Sequence, residues 1–175
     1  MRDTRLLTLL AWFCVVASGA AVGSESDRAH ERHQHGGASA LVTKLELQDG
    51  KRWPTDASLR TGMAAIRAAF DADHPAIHEG RETDAQYTAL AAKIEREVNT
   101  IVTHCKLPPA ADAQLHYVVG DLLQGVALLR GDDPARSRHD GARLVHGALN
   151  AYGKYFEDPT WTADAGPGHG HDHDH

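Results

Sequence analysis

An all-α fold, an antiparallel up-down-up-down four-helix bundle, is what this sequence predicts for residues 41–160. Three observations predict it. Apolar residues recur at alternating spacings of three and four in four successive stretches, which lays each set along one helix face. The stretches are each about 20 residues long with short connections, so consecutive helices are expected to run antiparallel. The core-forming residues are mostly Leu, Val and Ile among many Ala, and aromatics are only 6% of the chain, which suits close helix packing.

The elements follow in order. Residues 41–53 read "LVTKLELQDGKRW". Leu45 and Leu47 alternate with polar residues and Asp49-Gly50 is a turn signal, so a short extended segment or hairpin is expected before helix 1. Helix 1, about 56–79, carries Leu59, Met63, Ile66 and Phe70 on one face, with Pro54 and Thr55 or Asp56 as its start signal. Pro75 lacks an N–H donor, but Ile77 stays in phase, which predicts a kinked continuation rather than a stop. Helix 2, about 84–105, opens with the capping-box pair Thr83 and Gln86. Its stripe is Tyr87, Leu90, Ile94, Val98, Ile101 and Cys105, and "KLPPA" ends it. Helix 3, about 111–130, places Leu115, Val118, Leu122 and Leu129 together and stops at Gly131. Helix 4, about 134–157, is expected to start with Asp133 as N-cap and Pro134 as first helical residue. It carries Val145, Leu149, Tyr152 and Phe156, and Asp158-Pro159 ends it.

The two ends of the chain differ from this body. Residues 1–22 read as a secretory signal peptide: Arg2 and Arg5, an apolar run from Leu6 to about Ala17, then small residues, with cleavage expected near Ala20 to Ser24. Bulky Phe13 before Cys14 argues against a lipoprotein. Residues 23–40 form a polar leader with His30, His33 and His35, expected to be disordered. Residues 161–175 form a second such tail, ending "GPGHGHDHDH", with His169, His171, His173 and His175 at every second position. In an up-down-up-down bundle helix 1 begins where helix 4 finishes, so both arms are expected at one pole, beside the turn between helices 2 and 3.

Histidine is the conspicuous chemical resource. There are 13, in a chain of formal charge −6 with histidines neutral. Imidazole ligates copper, zinc and nickel, and side chains at every second position of an extended tail line one edge. Asp172 and Asp174 add negative charge that attracts cations. A second group gathers near the turn between helices 2 and 3: His104, Cys105 and His116, a thiol-imidazole set suited to copper or zinc, with Met63 within a turn of it. The competing reading of Cys105 is a small core hydrophobe on the apolar stripe. A third group, His74 and His78 with His139, belongs to the opposite end, with His146 nearer the middle, and solvated surface is the competing reading. No phosphate loop, nucleophile elbow, Cys-x-x-Cys or His-Glu-x-x-His occurs, which argues against an enzyme. No basic stripe points to nucleic acid, and no segment after the signal peptide is a membrane span.

Two resemblances add to this reading. "SLRTGMAAIR" and "LNAYGKYF" resemble the small periplasmic b-type four-helix-bundle cytochromes, which ligate haem through a first-helix methionine and a last-helix histidine. Met63 matches the methionine in kind, but Gly153 stands where the histidine belongs. The resemblance implies the bundle, and its departure at Gly153 argues against haem. More of the chain resembles the DnrO-like family of small exported proteobacterial proteins: signal peptide, His-containing leader, "KRWPTDASLRTGMAAIR" and "CKLPPAADAQLH". The functional expectation is an exported, periplasmic protein that sequesters or passes on copper, zinc or nickel. The alternatives are a haem-binding or electron-transfer bundle and a non-catalytic structural or adaptor module with a protein partner.

Overall fold

The computed structural model describes residues 41–161. Four α-helices make up most of them: α1 (Ala57–His78), α2 (Asp84–His104), α3 (Pro109–Arg130) and α4 (Arg138–Tyr155). No named strand occurs among the described residues. The helices pack as a bundle. α3 and α4 share the most extensive contact, α1 and α2 pack likewise, as do α2 and α3, and the α1–α4 seam is the lightest of the four.

The apolar stripes turn inward together. Leu59, Met63 and Ile66 of α1, Leu90, Ile94 and Ile101 of α2, Val118, Leu122 and Leu129 of α3, and Val145 and Tyr152 of α4 are fully buried in one cluster. Burying such a side chain contributes roughly 1.5–3 kcal/mol, so this shared core is the main force holding the helices together. Cys105 sits only partly buried at its edge.

The helix ends are set by local chemistry. Asp56 caps α1, its Oδ1 accepting the Leu59 N–H at 2.7 Å. α1 runs through Pro75 to His78. Thr83 and Gln86 form the expected reciprocal capping box on α2. α3 begins at Pro109, two residues before the expected start, because Pro at a first helical position gives up an N–H that would lack a partner anyway. It ends at Gly131, whose φ of 81° suits a residue without Cβ.

The start of α4 differs from the sequence expectation. Asp133 does not cap a helix beginning at Pro134. Its Oδ1 instead accepts the Ala135 N–H at 2.9 Å, an Asx turn. The cap is Ser137, paired with Asp140 in a second capping box. Two local hydrogen-bonding solutions compete here, and the reciprocal Ser-Asp box satisfies two donors where a lone Asp satisfies one.

The segment before α1 has the expected Asp49-Gly50 turn but lacks the expected strand character. It holds a 3-10 turn at Val42–Lys44 instead of a strand. Asp49 and Gly50, both at positive φ, then make a two-residue turn closed by paired Gln48 and Lys51 backbone bonds of 2.9 Å. Its extended character is confined to two isolated bridges, Gln48 with Lys51 and Trp53 with Phe156. Tertiary bonds decide its path. The Val42 N–H bonds Asp121 Oδ2 at 3.0 Å, the Glu46 N–H bonds Gln114 Oε1 at 3.0 Å, and Trp53 Nε1 donates to the Glu46 carbonyl at 2.6 Å.

Beyond α4, Asp158 is buried and ties the chain down. It accepts from Tyr152 Oη at 2.9 Å and from the Thr160 N–H and hydroxyl at 2.9 and 2.7 Å. Burial alone would raise its carboxyl. The bonds from Thr160 and Tyr152, with Arg60 nearby, outweigh that and hold it below the ordinary range. Trp161 then folds back over Gly153 and Tyr152 of α4, with Arg67 of α1 stacked 4.8 Å from its ring centre.

Candidate functional site

A cavity of about 250 Å³ opens between the end of α2 and the start of α3. Ile101, Val102, Leu115 and Val119 form its apolar wall, and Cys105, Asp112 and His116 supply its polar groups. Val102 is 66% exposed, a large apolar side chain left in solvent beside the cavity.

The structure brings Cys105 and His116 to this one cavity but leaves His104 out. His104 lines an open surface of α2 instead, with Glu95, Arg96, Asn99 and Thr100. Adjacent helical residues point about 100° apart, so His104 and Cys105 cannot share a face while Cys105 stays on the core stripe. Met63 is buried in the core and does not line the cavity. The expected four-residue set is therefore split three ways.

Both imidazoles are held through Nδ1. His116 Nδ1 lies 2.7 Å from the Asp112 carbonyl, and His104 Nδ1 lies 3.0 Å from the Thr100 carbonyl. A carbonyl only accepts, so the neutral ring keeps its proton on Nδ1 and leaves Nε2 as the acceptor. That tautomer leaves Nε2 free to ligate a metal, with the other ring N–H held by a carbonyl.

Cys105 is a poor thiolate. Burial first, and then the neighbouring carboxylates of Asp56 and Asp112, push the thiol up to about 11. A metal ion or an electrophile there must displace a firmly held proton. One of these carboxylates, Asp56, went unnoticed in the sequence beyond its capping role. Its second oxygen, Oδ2, accepts the Lys106 N–H at 2.6 Å, which fastens the start of α1 to the α2–α3 connection. Burial opposes its ionisation, but the Leu59 and Lys106 bonds, the thiol and Arg60 lower it overall.

A second cluster lies on the α1–α4 seam. The His74 and His146 ring centres are 5.7 Å apart and tilted by 44°. Buried Phe70 stacks on His146 at 5.8 Å and 14° and meets His74 at 5.4 Å. His78 follows His74 at 6.3 Å. His139 is the second residue of α4 and is exposed.

The remaining residues singled out in the sequence, His30, His33, His35, His169, His171, His173 and His175, lie outside the described residues. Gly153 has a clear environment. The Trp161 indole occupies the space that a side chain at that position would enter. Asp121 is another residue that periodicity misses: it is fully buried in α3, with Oδ2 on Val42 and Oδ1 without a partner. The signal for it was a lone acid within "VVGDLLQGVALL". Among the described residues no helix is long and apolar enough to cross a membrane, and no three His, Cys, Asp or Glu groups are placed to hold an ion. No family model, curated protein or solved structure matches this chain.

Proposed function

We propose that this is an exported, periplasmic protein that sequesters or passes on copper, zinc or nickel, with histidine-rich arms as ligands and the bundle as their scaffold. The observation that carries the reading is the distribution of histidine. Seven of the 13 fall in the two arms, four of them alternating at the end of the chain. The other six, on the bundle, are exposed or half-buried, so all stay within reach of solvent. The bundle closes its core with its own side chains, which fits a scaffold role.

In this reading the helices alternate in direction. Gly62, early in α1, meets Ile101, late in α2, and Gly125, late in α3, meets Gly141, early in α4. Leu41 reaches over Gly120 in the middle of α3, and the 3-10 turn lies against α3 and α4. Trp161 lies against α4 and α1. Leu41 and Trp161, the first and last described residues, thus lie on two sides of α4.

Calorimetric titration of Cu(II), Zn(II) and Ni(II) into the full chain tests the reading. A variant with His169, His171, His173 and His175 replaced by serine is titrated alongside. The expected result is loss of most of the bound metal in the variant. Equal binding by both chains overturns the assignment to the tail. A second reading, a non-catalytic adaptor module, is favoured by exposed Val102 beside the α2–α3 cavity. Absence of binding by either chain selects it.

A further inference from the structure

The α1–α4 seam carries a ligand arrangement that the arms do not explain. His74 comes from α1 and His146 from α4, and their rings meet across the lightest of the four helix seams. We infer that His74 and His146 together form an open binding site for a divalent transition-metal ion of the zinc and nickel class, separate from the arms.

Four observations carry this. The ring centres are 5.7 Å apart. Two imidazoles sharing one ion at metal–nitrogen distances of roughly 2.0–2.1 Å have centres about 5 Å apart, so the observed spacing closes with a small side-chain rotation. The rings are tilted by 44°, so their planes are not parallel and share a line. An ion on that line lies in both planes, where the nitrogen lone pairs point; two parallel stacked rings offer no such position. Phe70, buried in the core, stacks on His146 and restricts its rotation, which lowers the entropy lost on binding. Finally, His74 is exposed and His146 only half-buried, so an ion reaches them without opening the core.

The site has two protein ligands, since no third His, Cys, Asp or Glu joins them among the described residues. Water completes the coordination, which makes the site exchangeable. This inference is independent of the reading of the arms.

The test uses thermal unfolding of the full chain in which His30, His33, His35, His169, His171, His173 and His175 are all serine. A ligand that binds the folded and unfolded chains alike leaves the melting temperature unchanged. A site assembled from two helices exists only in the fold. Zn(II) or Ni(II) at about a hundred times the dissociation constant is therefore expected to raise Tm by roughly 10 °C. His74→Ala and His146→Gln are each expected to abolish that rise. His74 is exposed, so its variant folds as the parent does and keeps the test decisive if His146→Gln is unstable. Paramagnetic broadening by Ni(II) that is strongest at the His74 and His146 imidazole resonances and falls off with distance from them is the expected second readout. A parent chain with no metal-dependent rise, or a rise that survives His74→Ala, overturns the site.

Discussion

One carboxylate, Asp56, joins three parts of the chain. It caps α1, holds the Lys106 amide, and faces the Cys105 thiol. Its cap role was legible because an Asp three residues before the first stripe residue is a start signal. Its second bond was not, because Lys106 is 50 residues away. The consequence for Cys105 is measurable. Its thiol titrates near 11, above the ordinary value of 9.0, so the folded chain holds that proton more tightly than the unfolded one. This contribution to stability is complete below about pH 9 and is lost as pH rises through 11. Alkylation of Cys105 by iodoacetamide, followed by peptide mass spectrometry, is expected to accelerate only well above pH 9. Asp56→Asn keeps a competent cap and removes the charge, so it is expected to shift the profile to lower pH. A wild-type inflection at or below 9 would contradict the proposed role of burial and Asp56.

At the scale of the helices, α3 and α4 approach most closely at Gly125 and Gly141. A Cβ on Gly141 would stand 2.8 Å from both the Gly125 carbonyl oxygen and the Leu129 nitrogen. Those are backbone atoms and cannot rotate away. Gly141→Ala is therefore expected to destabilise the protein by about 1–3 kcal/mol through overpacking. Gly147, six residues along the same helix, has open space around its Cβ position. Gly147→Ala is expected to stabilise by about 0.5–1 kcal/mol, because alanine loses less backbone freedom in a helix. Urea unfolding of the two variants checks the pair, and equal effects would show that the close approach is absent. Periodicity located all four helices, because burial of one stripe per helix dominates their energetics. It misplaced the start of α4, where two local capping arrangements compete and the reciprocal one satisfies more donors. It could not tell Gly141 from Gly147, since their difference is a matter of which neighbour lies opposite.

For the whole molecule, the decisive links are those between the chain's outer segments and the bundle. Asp121 anchors the segment before α1 by accepting the Val42 N–H. Asp121→Ala removes a hydrogen bond to an acidic side chain and is expected to cost about 1–3 kcal/mol. It is also expected to speed amide exchange at Val42. Asp121→Asn retains an acceptor oxygen and is expected to keep the segment attached. Unchanged exchange in the alanine variant would show that the segment is held by other contacts. The same scale separates the candidate ligands: His104 and Cys105 are neighbours in sequence but open onto different surfaces, while His74 and His146, 72 residues apart, meet ring to ring.

By itself, the sequence determined that this chain forms four amphipathic helices with an apolar core, where most of them begin and end, and that histidine is its concentrated chemical resource. Those properties follow from local periodicity, capping and composition. Only the tertiary structure decided which histidines meet, that Cys105 lies under the influence of Asp56, that Asp121 clamps an incoming segment, and that Trp161 fills the space over Gly153. Each of these depends on how helices are rotated and offset against one another, which is set by side-chain packing across the whole core rather than by any neighbouring residues.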